Sequence, residues 1–154
     1  MAVIAAGQPV PDFALARHGS APFTRSDLEG RLTFLVFYPF AFTAVCTDQL
    51  GVYNELLGDF AERGATLYGV SCDAVPSQQA FKEQLGIGIE QLSDFEPKGA
   101  TCRAFGVLHP GGFPQRALVL IGPDAVVRWS HEAPSPGDLP GANLLFDALG
   151  ALAA

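Results

Sequence analysis

Cys46 is the residue of this sequence whose surroundings most clearly suggest chemistry. It follows the apolar run of residues 34–38, and a continuous apolar stretch bounded by Pro39 predicts a buried strand. Thr43 predicts the N-cap of a helix that begins directly afterwards, so Cys46 lies in the first turn of that helix. Unpaired backbone N–H groups and the positive end of the helix dipole favour the thiolate there. The sequence therefore predicts a nucleophilic cysteine.

Thr43 and Pro39 each have a structural and a chemical interpretation. The Thr43 hydroxyl either accepts a hydrogen bond from a first-turn N–H, as a plain N-cap, or turns toward the sulfur of Cys46. Pro39 lacks an N–H and has a fixed φ angle, so it ends the strand or forms a rigid wall that shields the sulfur. The two interpretations of Pro39 are compatible.

The elements that must position Cys46 follow from hydrophobic periodicity. Residues 33–38, rich in β-branched and aromatic side chains, predict a first buried strand, and residues 66–71 predict a second. Between them, apolar positions at intervals of three or four predict one helix from Thr43 through Phe60, which Gly64 stops. A strand–helix–strand unit of this length implies a right-handed parallel crossover.

The rest of the chain completes an α/β pattern. We predict an N-terminal hairpin of 13–16 with 23–24, a short turn at 26–30, helices over 77–85 and 97–105, a hairpin of 116–121 with 126–131, and a last helix from about 139 or 143 to 152. Parallel strands followed by an antiparallel pair and a closing helix predict a thioredoxin-like sandwich, with a mixed central sheet and an N-terminal β-hairpin extension. We expect one domain over residues 1–154.

Composition limits the partners. The chain has 154 residues, 49% of them hydrophobic, but no apolar run approaches the ~20 residues of a spanning helix. Residues 1–6 lack the basic start and cleavage pattern of a signal peptide, so we expect a cytoplasmic protein. Sixteen acidic and nine basic residues give a formal charge of −7, which repels phosphate backbones and anionic lipids. We expect neither nucleic acid nor a membrane as a partner.

The cysteines and histidines do not predict a metal site. Three cysteines at uneven spacing form neither a disulfide framework nor a zinc set, and there is no Cys-x-x-Cys. His18, His109 and His131 are isolated from one another, which is typical of surface or loop histidines. Any redox chemistry of this chain therefore differs from that of an ordinary thioredoxin.

The pattern formed by Pro39, Thr43 and Cys46 resembles the signature of the peroxiredoxins, and the resemblance extends from about Gly7 to the C-terminus. Three segments are most similar to the one-cysteine alkyl hydroperoxide reductase E subgroup: 38–43, 69–73 and 92–95. The resemblance implies a thiol-dependent peroxidase that reduces hydrogen peroxide and organic hydroperoxides through a Cys46 sulfenic acid. It implies no metal, haem or flavin.

The resemblance also implies roles for other residues. Thr43 is expected to bond peroxide and thiolate. Arg116, at the start of a strand, is expected to face Cys46 and stabilise its thiolate, although an arginine there is most simply a snorkelling surface residue. Gln49 lies one helical turn after Cys46, where the family more often has a glutamate that pairs with the arginine. Glutamine keeps a hydrogen-bonding carbonyl but no charge, and neighbouring Asp48 either compensates or only stabilises the helix dipole.

The other two cysteines decide the subclass. A resolving cysteine commonly lies five residues after Cys46, in the following helix, or near the C-terminus. The first position is Gly51, the helix over 77–85 has no cysteine, and none follows Cys102. We therefore interpret Cys72 and Cys102 as small buried hydrophobes and expect a one-cysteine mechanism. Its reductant would be thioredoxin, a glutaredoxin-like protein or a low-molecular-weight thiol. One alternative stays open, in which local unfolding brings the sulfur of Cys72 or Cys102 to Cys46.

Two phenylalanines flank the loop before Cys46. Phe40 and Phe42 are costly to expose, so we expect a two-fold homodimer built around this loop, with Phe42 also supporting the substrate site.

Two functions other than a peroxidase stay open. One is a peroxide-sensing redox switch that passes oxidation to a partner protein. The other is a non-enzymatic binding module, against which the intact set of site residues argues.

Overall fold

Residues 2–153, the part of the chain that this computed structural model describes, contain seven short strands, five α-helices and a 3₁₀ helix at Arg25–Leu28. The strands are β1 (Ala14–Leu15), β2 (Phe23–Thr24), β3 (Leu32–Phe37), β4 (Ala65–Ser71), β5 (Glu90–Ser93), β6 (Ala117–Ile121) and β7 (Val127–Glu132). The helices are α1 (Ala44–Glu55), α2 (Leu57–Glu62), α3 (Val75–Leu85), α4 (Ala100–Ala104) and α5 (Ala142–Ala153). No helix within these residues has the length and apolarity that crossing a membrane requires.

Five of the strands form one mixed sheet in the order β5-β4-β3-β6-β7, and β1 and β2 form a separate antiparallel hairpin. β3 lies at the centre, parallel to β4 and antiparallel to β6. β4 pairs in parallel with β5, and β6 pairs antiparallel with β7. The predicted mixed sheet and N-terminal hairpin are thus confirmed.

Side chains alternate along β3 and divide the core into two layers. Phe34, Val36 and the following Tyr38 belong to one buried cluster, whereas Leu35 and Phe37 belong to the other. This is the period of two that a strand buried on both faces requires. We call the two layers the helix layer, which includes residues of α1, α2, α3 and α5, and the hairpin layer, which includes residues of β1, β2 and α4.

The cysteines are distributed between the two layers. Cys46 packs in the helix layer, and Cys72 and Cys102 pack in the hairpin layer. All three are free and buried. The central sheet therefore stands between Cys46 and the other two sulfurs.

The helix predicted as one unit is two helices. α1 ends at Glu55 and α2 begins at Leu57. At Leu56 the backbone leaves helical geometry, with φ −107° and ψ 8°, and its N–H bonds Tyr53 O at 3.1 Å, a tighter spacing than an α-helix uses. Periodicity did not reveal this break, because apolar positions at helical spacing continue across it to Phe60.

Two other predictions are wrong in detail. β5 was not predicted, because this short edge strand pairs with only one other strand of the sheet and lacks clear alternation. The helix expected over 97–105 begins only at Ala100. Gly99, with φ +71°, precedes it, and the Asp94 carboxylate accepts the N–H groups of Thr101 and Cys102 at 3.1 and 2.8 Å. A side chain distant from the helix start in sequence thus fixes where α4 begins.

Candidate active site

The loop between β3 and α1 carries the residues that precede Cys46. Tyr38 extends the pairing with β4, because its N–H bonds Val70 O at 3.0 Å, and Pro39 is buried directly after it. The N–H of Ala41 then donates to the Asp73 carboxylate at 2.8 Å. Asp73 follows β4, so the end of the neighbouring strand holds this loop. Sequence analysis did not identify Asp73 as a site residue, although its segment carried part of the family resemblance.

Thr43 is the N-cap of α1, as predicted, but its hydroxyl does not cap the helix. Its backbone is extended, with φ −94° and ψ 152°, and its C=O accepts the N–H of Thr47 at 2.9 Å. The side-chain hydroxyl donates to Phe40 O at 2.8 Å instead of accepting from a first-turn N–H. The exposed oxygen therefore keeps its lone pairs for another donor.

Arg116 contacts the sulfur of Cys46. Its Nη2 donates to Cys46 Sγ at 3.1 Å, and the arginine is only 2% exposed. The antiparallel register of β6 pairs Ala117 with Phe37, which places Arg116 beside the end of β3, where the chain turns toward α1. The interpretation of Arg116 as a snorkelling surface residue is wrong. A buried guanidinium against the cysteine in the first turn of α1 is the central contact of this site.

The other hydrogen bonds of Arg116 go to neutral groups. Nη1 donates to Gln49 Oε1, and Nε donates to Pro136 O at 2.8 Å. The three ion pairs found within residues 2–153 all involve other arginines. Asp48 is exposed and takes no part in these contacts. A thiolate at Cys46 would therefore be the counter-ion of a buried cation that has no carboxylate partner in the described chain.

Gln49 is itself held by a residue that sequence analysis missed. Gln49 Nε2 donates to Tyr53 Oη at 3.3 Å, and the Tyr53 hydroxyl donates to Pro140 O at 2.6 Å. Burial raises the pKa of Tyr53 to about 12, so the phenol stays protonated and keeps donating near neutral pH. The available signal was spacing, because Tyr53 lies one helical turn beyond Gln49 on the same face of α1.

We predict that Tyr53→Phe lowers the free energy of unfolding by about 1–3 kcal/mol, because it leaves the buried carbonyl of Pro140 without its donor and Gln49 Nε2 without its acceptor. Urea denaturation at pH 7 measures this. Tyr68→Phe is the matched control, since it deletes a phenol hydroxyl from the hairpin layer, apart from Arg116. Equal losses of unfolding free energy in the two variants would show that the hydrogen bonds linking Gln49, Tyr53 and Pro140 contribute no specific stability.

Phe40 and Phe42 lie at the surface beside these residues. Phe40 is 45% exposed, and its ring centroid lies 4.9 Å from that of Phe113. Phe42 is 50% exposed, and its ring centroid lies 5.2 Å from that of Phe81. Phe42 has φ +65°, a left-handed conformation that is unusual for an aromatic residue. A strained residue next to a candidate nucleophile is consistent with a loop whose shape serves a site.

Chemically, these residues can stabilise an anion and let it attack. The cation beside Sγ and the first turn of α1 both favour negative charge on sulfur and on an atom that leaves it. The three histidines do not join this site. Within residues 2–153, the one group of potential metal ligands is Cys72, Asp94 and Cys102, in the hairpin layer.

Comparisons with known proteins identify similar sequences. A model of the AhpC/TSA family matches residues 6–130. Peroxiredoxin tpx1 of Schizosaccharomyces pombe is 33% identical over 131 residues, which cover 79% of this chain and 68% of the relative. Alkyl hydroperoxide reductase E of Mycobacterium bovis is 29% identical over 150 residues, covering 96% of this chain and 97% of the relative.

Solved structures show the same fold. AhpC of Enterococcus faecalis superposes with a TM-score of 0.86 at 27% identity, covering 96% of this chain and 92% of that one. The share of the relative that is matched differs between relatives. The chain spans 97% of alkyl hydroperoxide reductase E but about two thirds, from 63% to 68%, of several other curated relatives.

Proposed function

This chain belongs to the AhpC/TSA family, the peroxiredoxins, and we propose that it is a thiol-dependent peroxidase acting on hydrogen peroxide and organic hydroperoxides. The observation that carries the proposal is the 3.1 Å contact between Arg116 Nη2 and Cys46 Sγ in a buried site. Relatives named peroxiredoxin and alkyl hydroperoxide reductase support turnover over the redox-switch alternative.

The proposed reaction begins with the Cys46 thiolate. Sulfur attacks one oxygen of the hydroperoxide, the O–O bond breaks, and the other oxygen leaves as hydroxide or alkoxide, which takes a proton to become water or alcohol. Cys46 becomes a sulfenic acid. Arg116 stabilises both the attacking thiolate and the charge on the departing oxygen, and the Thr43 oxygen accepts a hydrogen bond from the bound peroxide. Pro39 and Phe42 shield this site from bulk water.

Recycling is proposed to need an external thiol. A thiol attacks the sulfenic acid sulfur and releases water, and a second thiol reduces the mixed disulfide to regenerate Cys46. The arrangement that supports a one-cysteine mechanism is the central sheet, which stands between Cys46 and the layer that holds Cys72 and Cys102. We therefore propose that the chain belongs to the alkyl hydroperoxide reductase E subgroup. Its reductant would be thioredoxin, a glutaredoxin-like protein or a small thiol. Three free thiols support the reducing cytoplasm as the compartment.

The function is tested by trapping the intermediate. Reduced protein treated with one equivalent of hydrogen peroxide in the presence of dimedone should carry one adduct, at Cys46, by peptide mass spectrometry. Steady-state consumption of peroxide with thioredoxin, a glutaredoxin-like protein and small thiols should then identify a reductant. A sulfenic acid that forms at Cys46 but is not recycled by any of these thiols would favour the redox switch.

We further propose a homodimer in which the loop at Phe40 and Phe42 forms the contact. Two phenylalanines, each about half exposed, on a loop anchored through Ala41 provide a preformed apolar surface of the kind that interfaces bury.

We predict that Phe42→Ala weakens dimerisation about tenfold or more, because it deletes a large aromatic contact from the centre of the proposed interface. Sedimentation velocity over a micromolar concentration series measures the change. Val52→Ala, which trims an exposed apolar side chain on α1, is the control and should leave the mass distribution unchanged. A parent chain that sediments as a monomer at micromolar concentration would contradict the proposal.

A further inference from the structure

Two thiols and a carboxylate meet in the hairpin layer, apart from the proposed peroxidase site. Cys72 follows β4, Asp94 follows β5, and Cys102 lies in α4. The Sγ atoms of the two cysteines and a carboxylate oxygen of Asp94 all lie within 4.8 Å of one another. A disulfide needs about 2.05 Å between its sulfurs, so a bond between these two thiols requires them to move toward each other from this distance.

The two thiols differ in accessibility and in acidity. Cys72 is 9% exposed and Cys102 is fully buried. The proximity of the two thiols lowers the pKa of Cys72 and raises that of Cys102, and burial raises the pKa of Cys102 further. A more accessible thiol with more thiolate character beside a buried partner is the arrangement that dithiol redox pairs use.

Asp94 holds the backbone of this pair in place. Its two carboxylate oxygens accept the N–H groups of Thr101 and Cys102, which fixes the start of α4 and the position of the Cys102 main chain. These two bonds make Asp94 the anchor of the first turn of α4. The group offers three potential ligands among the described residues, one fewer than a tetrahedral structural zinc site uses, so the geometry favours a dithiol over a thiolate–carboxylate metal site.

We propose that Cys72 and Cys102 form a second redox centre, which closes to an intramolecular disulfide on exposure to hydrogen peroxide. Cys72 gives up its proton, and its thiolate attacks one oxygen of the peroxide. The O–O bond breaks, the hydroxide that leaves takes that proton to become water, and Cys72 becomes a sulfenic acid. Cys102 then attacks that sulfur, the S–S bond forms, the S–O bond breaks, and a second water leaves. Two thiols and one peroxide thus give one disulfide and two waters. An external dithiol reverses the step.

The bond would join the end of β4 to α4 and close the chain between residues 72 and 102. Cross-linking a loop of this length restricts the unfolded chain and stabilises the fold. We expect the thermal midpoint of the oxidised protein to rise by roughly 5 °C or more over the reduced protein. The second centre would thus strengthen the fold under the same oxidant that the proposed peroxidase consumes.

The test uses the full-length Cys46→Ser chain, so that its outcome does not depend on the proposed peroxidase reaction. The reduced chain is treated with excess hydrogen peroxide and a chelator, quenched with catalase, denatured, and labelled with N-ethylmaleimide. We expect a species two hydrogen atoms lighter than the reduced chain and without label, whose digest contains one peptide pair joined through Cys72 and Cys102. Dithiothreitol should restore two labels.

Cys46→Ser/Cys72→Ala and Cys46→Ser/Cys102→Ala are the matched controls, and neither should lose two hydrogen atoms. If Cys46→Ser does not fold, the same peptide pair is sought in the peroxide-treated parent chain. The proposal is overturned if both thiols of the folded chain remain fully labelled after peroxide, or if each is oxidised separately. A parallel sample of the reduced, folded chain is labelled without peroxide, with and without chelator. Thiols that react only when chelator is present would also overturn the proposal, in favour of a metal site.

Discussion

Cys46→Ser is expected to lower the second-order rate of peroxide reduction by at least about 10³-fold, or roughly 4 kcal/mol of transition-state stabilisation. A serine hydroxyl beside Arg116 is not ionised near neutral pH, and neutral oxygen is a weak nucleophile toward peroxide, whereas a thiolate is a strong one. Stopped-flow measurement with hydrogen peroxide and with an organic hydroperoxide gives the rates directly.

Cys72→Ala and Cys102→Ala are the controls for this loss. Both side chains pack on the other side of the central sheet, so single-turnover oxidation of Cys46 should proceed at the parent rate in each variant. The one-cysteine mechanism would be contradicted by a stoichiometric disulfide between Cys46 and either of them after one turnover. Unchanged peroxide reduction by Cys46→Ser would contradict the peroxidase proposal itself.

Arg116→Ala should slow the oxidation of Cys46 by about 30-fold to several hundred-fold, which corresponds to about 2–4 kcal/mol. The variant removes a buried positive charge that touches Sγ at 3.1 Å and that has neutral hydrogen-bond partners in Gln49 and Pro136. The departing oxygen then develops its charge without a cation beside it. The second-order rate of Cys46 oxidation by peroxide is the measurement.

Arg116→Lys separates charge from geometry. The planar guanidinium uses three different nitrogens to reach Pro136, Gln49 and Cys46, whereas a single ammonium cannot reproduce that fork. Lysine should therefore recover part of the thiolate stabilisation but little of the rate.

Arg128→Ala is the matched control for both Arg116 variants, because Arg128 pairs with exposed Asp124 at 2.9 Å and does not touch the site. If both Arg116 variants react with peroxide as fast as the parent, the role proposed for Arg116 is wrong.

Much of the fold and the position of the nucleophile are local properties of the sequence. Short, largely apolar runs define the buried strands β3 and β4, Gly64 and Gly86 end helices, and Thr43 marks the start of α1. Each of these signals acts over a few residues, through side-chain burial or backbone sterics. The family and the fold class, with its mixed sheet and N-terminal hairpin, were predicted from such signals and are confirmed.

Elements that depend on long-range partners were predicted poorly. β5 exists because β4 offers it a parallel edge, and α4 begins where the Asp94 carboxylate can accept its first N–H groups. The hydroxyl of Thr43 donates to Phe40 O because of the shape of the loop that Asp73 anchors. The partner strand of β5 is far away in the chain, whereas the bonds of Asp94 and Thr43 depend on loop geometry that residue types alone do not specify.

The sequence by itself placed Cys46 in the first turn of a helix that follows a buried strand, and the pattern of Pro39, Thr43 and Cys46 marked it as the candidate nucleophile, because these signals are local. Only the tertiary structure decided that Arg116 is buried against Cys46 and that Gln49 orients it through Tyr53, because antiparallel pairing of β6 with β3 joins segments far apart in the chain. It likewise decided that Cys72 and Cys102 meet in the opposite layer, since the pleat of a sheet buried on both faces sends neighbouring side chains to different sides.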